Sequence, residues 1–435
     1  MLVRNARLAD GRVRDVRIDG ERIAAVGTGL DAAGDAVDAR ERLLLPGAVD
    51  AHVHFREPGA PHKETWQTGS RSAAAGGVTT VVDQPNTDPP TTTGAAFDQK
   101  ELCTRDSIVE YGINGGVTAD WGPDTLFDRP LFALGEVFLA DSTGDMGIEG
   151  DLFEDALHRA AEAGVPVTVH AEDATLFDEG ARAAAGDEVG RDAGADVWSA
   201  YRTAEAEIVA VERAVEMGID AGARLHVAHT STPEAVDIVA DAPETVTCEV
   251  TPHHCLLSRA DLDELGTYGR MNPPLRSEER RTALYERVVD GRVDLIATDH
   301  APHAREEKET SLLSAPSGVP GVETLVPLLL AETRTGPLTV ERVRDLVATA
   351  PAATFGLERK GRIEAGMDAD LALYDLERSR TVRGDRLHSK CGWTPFEGFE
   401  GVFPEWTLVR GDRVYDGVTD TFGTTAGENV RRDSS

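Results

Sequence analysis

At 435 residues the chain exceeds one ordinary compact domain, and a parallel α/β barrel of about 250 residues or more with a smaller domain attached accommodates it. Lys and Arg total 44 against 77 Asp and Glu, a formal charge of −33, which argues against nucleic acid and anionic membrane surfaces as partners. The acids are spread along the chain rather than gathered in a tail, as expected of a solvated surface in a salty cytoplasm where screening removes self-repulsion.

The opening MLVRNARLADGRVRDVRIDG has neither a long apolar core nor a small-residue cleavage site, and no later segment reaches about 18 uninterrupted apolar residues. A soluble, untargeted, cytoplasmic protein is expected. Cys103, Cys248, Cys255 and Cys391 show no C-x-x-C spacing, so free thiols are expected rather than disulfides or a zinc knuckle.

In chain order, Leu2 to Arg7, Val13 to Ile18 and Arg22 to Val26 read as short strands punctuated by Gly11, Gly20 and Gly27. DADLALYDLE (368–377) and EWTLVRGDRVYDG (405–417) have the same texture, so both chain ends are expected to build one β-rich domain. The boundaries implied are 1–46 plus 362–435 for that composite β-sandwich domain and 47–361 for the barrel.

Between them, apolar runs follow alanine-rich amphipathic stretches: GGVTTVVDQP after RSAAA, VPVTVHAED after LFEDALHRAAEAG, RLHVAHTST after AEAEIVAVERAVEMG, VDLIATDH after ERRTALYERVVDG. Helix–strand alternation predicts a parallel sheet with crossover helices, here a (β/α)8 TIM-type barrel. Four apolar runs end in metal-ligand residues: Asp50, His52 and His54; His170; His226 and His229; Asp299 and His300. In a barrel such strand ends open onto one mouth. His52 and His54 are two apart and share a strand face, so they can grip one ion. His226 and His229 are three apart and cannot share one, so one is expected as a ligand and the other as a packing or orienting residue.

DAHVHFREPG (50–59), QPNTDPP (84–90), VHAED (169–173), HVAHTST (226–232), TPHH (251–254), MNPPLR (271–276), ATDHAPH (297–303) and GVPGVET (318–324) follow the order and wording of the dihydroorotase family, which the chain resembles over nearly its full length. The closing KCGWTPFEGFEGVFPEWTLVRG (390–411) resembles that family's return into its sheet domain. The resemblance implies a zinc-dependent hydrolase that interconverts dihydroorotate and N-carbamoyl-L-aspartate in pyrimidine biosynthesis, with two Zn2+ ions per subunit. It places one ion on His52, His54 and Asp299 and the second on His170 and His229. Many relatives bridge the ions with a carboxylated lysine; here ALGEVFLADSTGD (133–145) puts Glu136 at that position, with Asp141 as the competing bridge. A carboxylate can bridge two divalent ions without added carbon dioxide.

In that mechanism hydroxide generated at the ions attacks the ring carbonyl, and Asp299 takes the proton and passes it to the departing nitrogen. The substrate carboxylate calls for a cation, and Arg56 supplies a guanidinium fork. The resemblance adds His54, Asn86, Asn272 and His303 as substrate contacts, with backbone groups of Pro320 and Gly321 on the ring. His253 and His254 are expected to orient other groups or line the pocket, and AREEKETSLLSAPSG (304–318) is read as an active-site loop, as a lid or as an insertion without a role. Two other readings stay open: an allantoinase or hydantoinase-type cyclic amidase, and a catalytically inactive assembly partner, for example of aspartate transcarbamoylase. Arg56, the paired His253 and His254 and DHAPH favour dihydroorotase over the first; the complete ligand set argues against the second. A homo-oligomer is left open.

Overall fold

The computed structural model describes residues 1–32, 34–140, 146–184 and 195–432. Among the described residues eight parallel strands form two sheets, one of three strands and one of five. In chain order they are Ala48–Val53, Val78–Asp83, Glu110–Ile113, Leu134–Phe138, Val167–His170, Leu225–Val227, Val246–Val250 and Leu295–Ile296. Parallel bridges Gly115↔Leu134 and Val53↔His300 join the two sheets along both edges, so the eight strands close into a barrel.

The local sequence explains where the barrel helices start and stop. Trp66–Gly76, Ala204–Asp220, Pro233–Ala240 and Glu278–Asp290 begin after Thr65, Thr203, Thr232 and Ser277, whose side chains accept a first-turn backbone N–H. Such a cap is worth about 1 kcal/mol. Gly77 (φ 86°), Gly164 (φ 68°) and Gly291 (φ 95°) end helices in the left-handed conformation that only glycine adopts freely, and a barrel strand follows each within a few residues.

A nine-stranded sheet draws on both chain ends, with Leu43–Pro46 paired antiparallel to Leu371–Tyr374 at the join. Its alternation divides the side chains. Leu44, Leu371 and Leu373 enter a core of the sheet's own with Val3, Val16, Ile23 and Trp406. Leu43, Leu45, Ala372 and Tyr374 point the other way, into the large core shared with the barrel. Near the C-terminus the chain returns to the barrel: Asn429 bridges Tyr111, and Arg431 donates to the carbonyls of Phe132 and Phe355. The four cysteines are free thiols. No helix among the described residues is long and apolar enough to cross a membrane.

Candidate metal centre and substrate cavity

Each barrel strand that ends in a ligand residue delivers it to one place. His52 lies in the first strand and His54 just beyond it, Glu136 in the fourth, His170 at the end of the fifth, His229 after the sixth and Asp299 after the eighth. Arg56 (φ 65°), His229 (φ 33°) and Asp299 (φ 46°) are held in the left-handed region, which non-glycine residues occupy at a cost of order 1–3 kcal/mol and which clusters at functional sites.

Glu136 is the centre of the arrangement. Its Oε1 lies 2.5 Å from His229 Nε2 and 3.1 Å from His170 Nδ1, while Oε2 is 3.4 Å from His52 Nε2. One carboxylate oxygen therefore faces each of two donor sets, His52–His54–Glu136 and Glu136–His170–His229, whose ligand atoms lie within 4.8 Å of one another. Asp299 Oδ1 stands 2.9 Å from His54 Nε2 and 3.6 Å from His52 Nε2. Asp141, the competing bridge, falls outside the described residues.

Three of the four outward nitrogens are fixed by acceptors, while His229 Nδ1 makes no hydrogen bond. His52 Nδ1 bonds Glu249 at 2.7 Å, His54 Nδ1 bonds Asn86 Oδ1 at 2.7 Å, and His170 Nε2 bonds Glu172 at 2.7 Å. Each bond selects the tautomer that turns a lone pair inward, as a metal-binding imidazole requires. His52 Nε2 is buried and makes no hydrogen bond, and the ring nitrogens of His170 and His229 converge at 3.0 Å. Convergent imidazoles around a buried carboxylate, with an inward nitrogen lacking any hydrogen bond, fit divalent cations.

The electrostatics point the same way. Burial works against charge on Glu136, but His229 and His52 outweigh it and hold its carboxyl well below the usual range. At His170 burial is likewise overcome, here by hydrogen bonds to Glu136 and Glu172, and its pKa rises to about 9. Burial opposes ionisation of Asp299 too, yet its bond to His54 and the charge of His52 bring it down to about 2. Without an ion the clustered histidines balance the buried carboxylates by taking up protons, and a divalent cation binding there would displace those protons.

A narrow cleft opens on this cluster, lined by His54, Arg56, Asn86, Glu136, Phe138, His229, Asn272, Asp299, Ala301, Ser317 and Gly318. Arg56 is buried, donates Nε to the Pro302 carbonyl at 3.3 Å, has a terminal guanidinium nitrogen 3.2 Å from His303 Nε2, and forms no ion pair among the described residues. Asn272 Oδ1 accepts from Trp198 Nε1 at 2.9 Å.

Two expectations are corrected. Pro320 and Gly321 do not line the cleft, and the Gly321 N–H is committed to His300 Nδ1 at 3.0 Å; Ser317 and Gly318 of the same segment take their place. His303 is fully buried behind Arg56: its Nε2 donates to the Ser317 carbonyl at 2.8 Å, and its Nδ1 faces Lys63 Nζ at 3.1 Å. Both ring nitrogens are used, so His303 braces the cleft rather than reaching into it. Of the two roles open for His253 and His254, lining the cleft is not seen, while His254 bonds the Pro273 carbonyl at 3.0 Å and thereby supports the Asn272 turn.

Of the two histidines three apart, His229 joins the cluster, whereas His226 bonds Glu249 at 3.1 Å and Thr247 at 2.8 Å. Glu249 and Glu172 were missed in the sequence as functional residues. Their signal was an acid inside an apolar strand, TVTCEV, and an acid two positions past His170. Gln84 was also missed: its Oε1 accepts the backbone N–H of Glu136 at 2.9 Å. The 304–318 segment is built in, with a helical turn Arg305–Lys308 and a fully buried Lys308.

Solved structures share this fold closely. The chain aligns with L-hydantoinase (dihydropyrimidinase) from Arthrobacter aurescens at a TM-score of 0.91 and 28% identity, covering 98% of each chain. It aligns with dihydropyrimidinase from Brevibacillus agri at 0.88 and 27%, covering 99% of this chain and 98% of that one. Fold and site together define a metal-binding barrel hydrolase of cyclic amides. The description "Dihydro-orotase-like" matches residues 41–235. Dihydroorotase from Halobacterium salinarum is 63% identical over 99% of this chain and 100% of its own length, and that from Methanosarcina mazei 45% identical over 87% and 85%. The chain belongs to the dihydroorotase family.

Proposed function

We propose that the protein is a dihydroorotase that opens and closes the ring between dihydroorotate and N-carbamoyl-L-aspartate in pyrimidine biosynthesis, with two zinc ions held around Glu136. The observation that carries this reading is one cleft holding both a carboxylate shared by two histidine sets and a buried arginine without a counter-ion.

His52, His54 and Asp299 would hold one ion and His170 and His229 the other, with Glu136 between them. When bound, the ions supply a water of lowered pKa and a Lewis acid for the ring carbonyl. Asp299, ionised at neutral pH and beside His54, is placed to accept a proton and return it to the ring nitrogen. Arg56 grips the substrate carboxylate through its two-pronged guanidinium, which replaces the cost of a buried unpaired charge by a charge-assisted pair. Asn86 and Asn272 flank the ring, and His303 fixes Arg56 from behind. The division into 47–361 and 1–46 plus 362–435 belongs to the same proposal, as do self-association and docking onto aspartate transcarbamoylase, which mass measurement in solution tests.

Arg56 separates this reading from the hydantoinase type, whose ring amides need carry no carboxylate. The test is turnover of dihydroorotate, hydantoin and allantoin by the metal-loaded protein alongside a metal-to-protein ratio. Turnover of dihydroorotate with two zinc ions per chain is expected; activity on hydantoin or allantoin alone, or no bound divalent ion, overturns it.

A further inference from the structure

Lys308 is fully buried, and its ammonium meets no carboxylate among the described residues. Its Nζ donates instead to three backbone carbonyls: Arg270 at 3.0 Å, Pro316 at 2.9 Å and Gly318 at 3.1 Å. An ammonium has three N–H donors, so the set is complete with the proton on and broken with it off. Burial, with Arg270, Arg56 and Lys63 nearby, presses its pKa well down; the three carbonyl acceptors oppose that, because hydrogen bonds to the charged form favour it. The adjacent acids are engaged elsewhere, Glu307 by Lys63 and the Ala304 N–H, Glu309 by the Tyr268 hydroxyl.

Arg270 repeats the pattern. Its Nε donates to Ser317 Oγ at 3.2 Å, it donates also to the Leu312 carbonyl, and its guanidinium lies 3.8 Å over the Trp198 ring, with no carboxylate partner among the described residues. With Arg56, this puts three cations without counter-ions behind or beside Asn272, Ser317 and Gly318, the cleft wall, in a chain of net charge −33. A protein so rich in acids has left one internal wall positive.

We propose that Lys308 and Arg270 are specificity-determining positioning residues. They hold the Asn272 and Ser317–Gly318 wall in register and, being unneutralised, reinforce Arg56 in selecting a carboxylate-bearing cyclic amide over a neutral one. This deepens the reading of the cleft as a dihydroorotate site and rests on it. Charges behind a wall of low polarisability act on a substrate anion more strongly than they would through water, and a neutral ring gains nothing from them.

The test compares metal-loaded wild type with Lys308→Met, Arg270→Met and Arg270→Lys, measuring kcat and KM for dihydroorotate at low and high salt, metal content and thermal midpoint. We expect KM to rise about tenfold in each methionine variant with kcat within about threefold, the signature of lost binding rather than lost chemistry. Metal content stays at the wild-type value, the salt dependence of kcat/KM becomes shallower, and Arg270→Lys restores most of KM. An unchanged KM, or a fall in kcat and metal content with KM kept, overturns the inference. Should Lys308→Met fail to fold, Arg270→Met decides, since it leaves the three-carbonyl clamp intact. A wild type that does not turn over dihydroorotate removes the site reading itself; a wild type that does, with variants of unaltered KM, removes only this inference.

Discussion

Glu136 and Glu110 are both buried acids on barrel strands, and each sits in a cluster whose ligand atoms lie within 4.8 Å of one another. Around Glu136 the partners are histidines, and of these His52 and His170 are held from behind by other acids. Around Glu110, at the start of the third barrel strand, the partners are Asp368 and Asp370, and Lys360 Nζ bonds Glu110 and stands 2.5 Å from Asp370 and 3.4 Å from Asp368. The second cluster carries its own tethered cation and is an internal ion pair joining the barrel to the sheet. The first leaves inward nitrogens for a cation that comes from outside. A list of donors within reach therefore does not define a metal site; whether the chain supplies the positive charge itself does.

Breaking the first cluster should have the largest effect. Glu136→Ala removes a donor from both sets at once, so turnover should fall by at least about a thousandfold, with loss of bound divalent metal measured by emission spectrometry. Full metal content and activity in that variant would end the comparison. In the second cluster, Lys360→Met leaves three buried acids without their cation and should cost about 3 kcal/mol in urea unfolding, while the folded fraction keeps its activity. Recovery of that loss by added Mg2+ or Ca2+ would sharpen the contrast, because an emptied acid cluster would then behave as a cation site.

The smallest effect is a pH slope. Burial first, and the charge of Asp370 next, push the Glu110 carboxyl from 4.5 up to about 8. A carboxyl raised on folding contributes its stability below the unfolded value and loses it as pH climbs through the folded one. Wild type should thus lose thermal midpoint between about pH 5 and 8 more steeply than Glu110→Gln. Equal slopes in the two proteins would show that Lys360 alone neutralises the cluster.

Much of this was legible beforehand because it is local. Period-two alternation marks Leu2–Arg7 and Leu371–Tyr374 as strands, threonine and serine caps and closing glycines mark the helices, and H-x-H at a strand end marks two donors that reach one cluster. The outer parts of the site were not legible, because they depend on which side chain stands behind which. Glu249 serves His52 across 197 positions of sequence and His303 stands behind Arg56 across 247.

The amino-acid order alone determined the strand and helix periods, the return of the chain end to the sheet, and the placing of histidine and carboxylate donors at the ends of the apolar runs, since these follow from backbone geometry and burial within a dozen residues. Only the tertiary structure decided that His229 rather than His226 faces the centre, that Ser317 and Gly318 rather than Pro320 and Gly321 line the cleft, and that Lys360 fills one acid cluster while histidines shape the other. The physical reason is that a side chain's role is set by the charge and hydrogen-bonding capacity of what closure of the barrel brings against it, and that closure joins segments hundreds of residues apart.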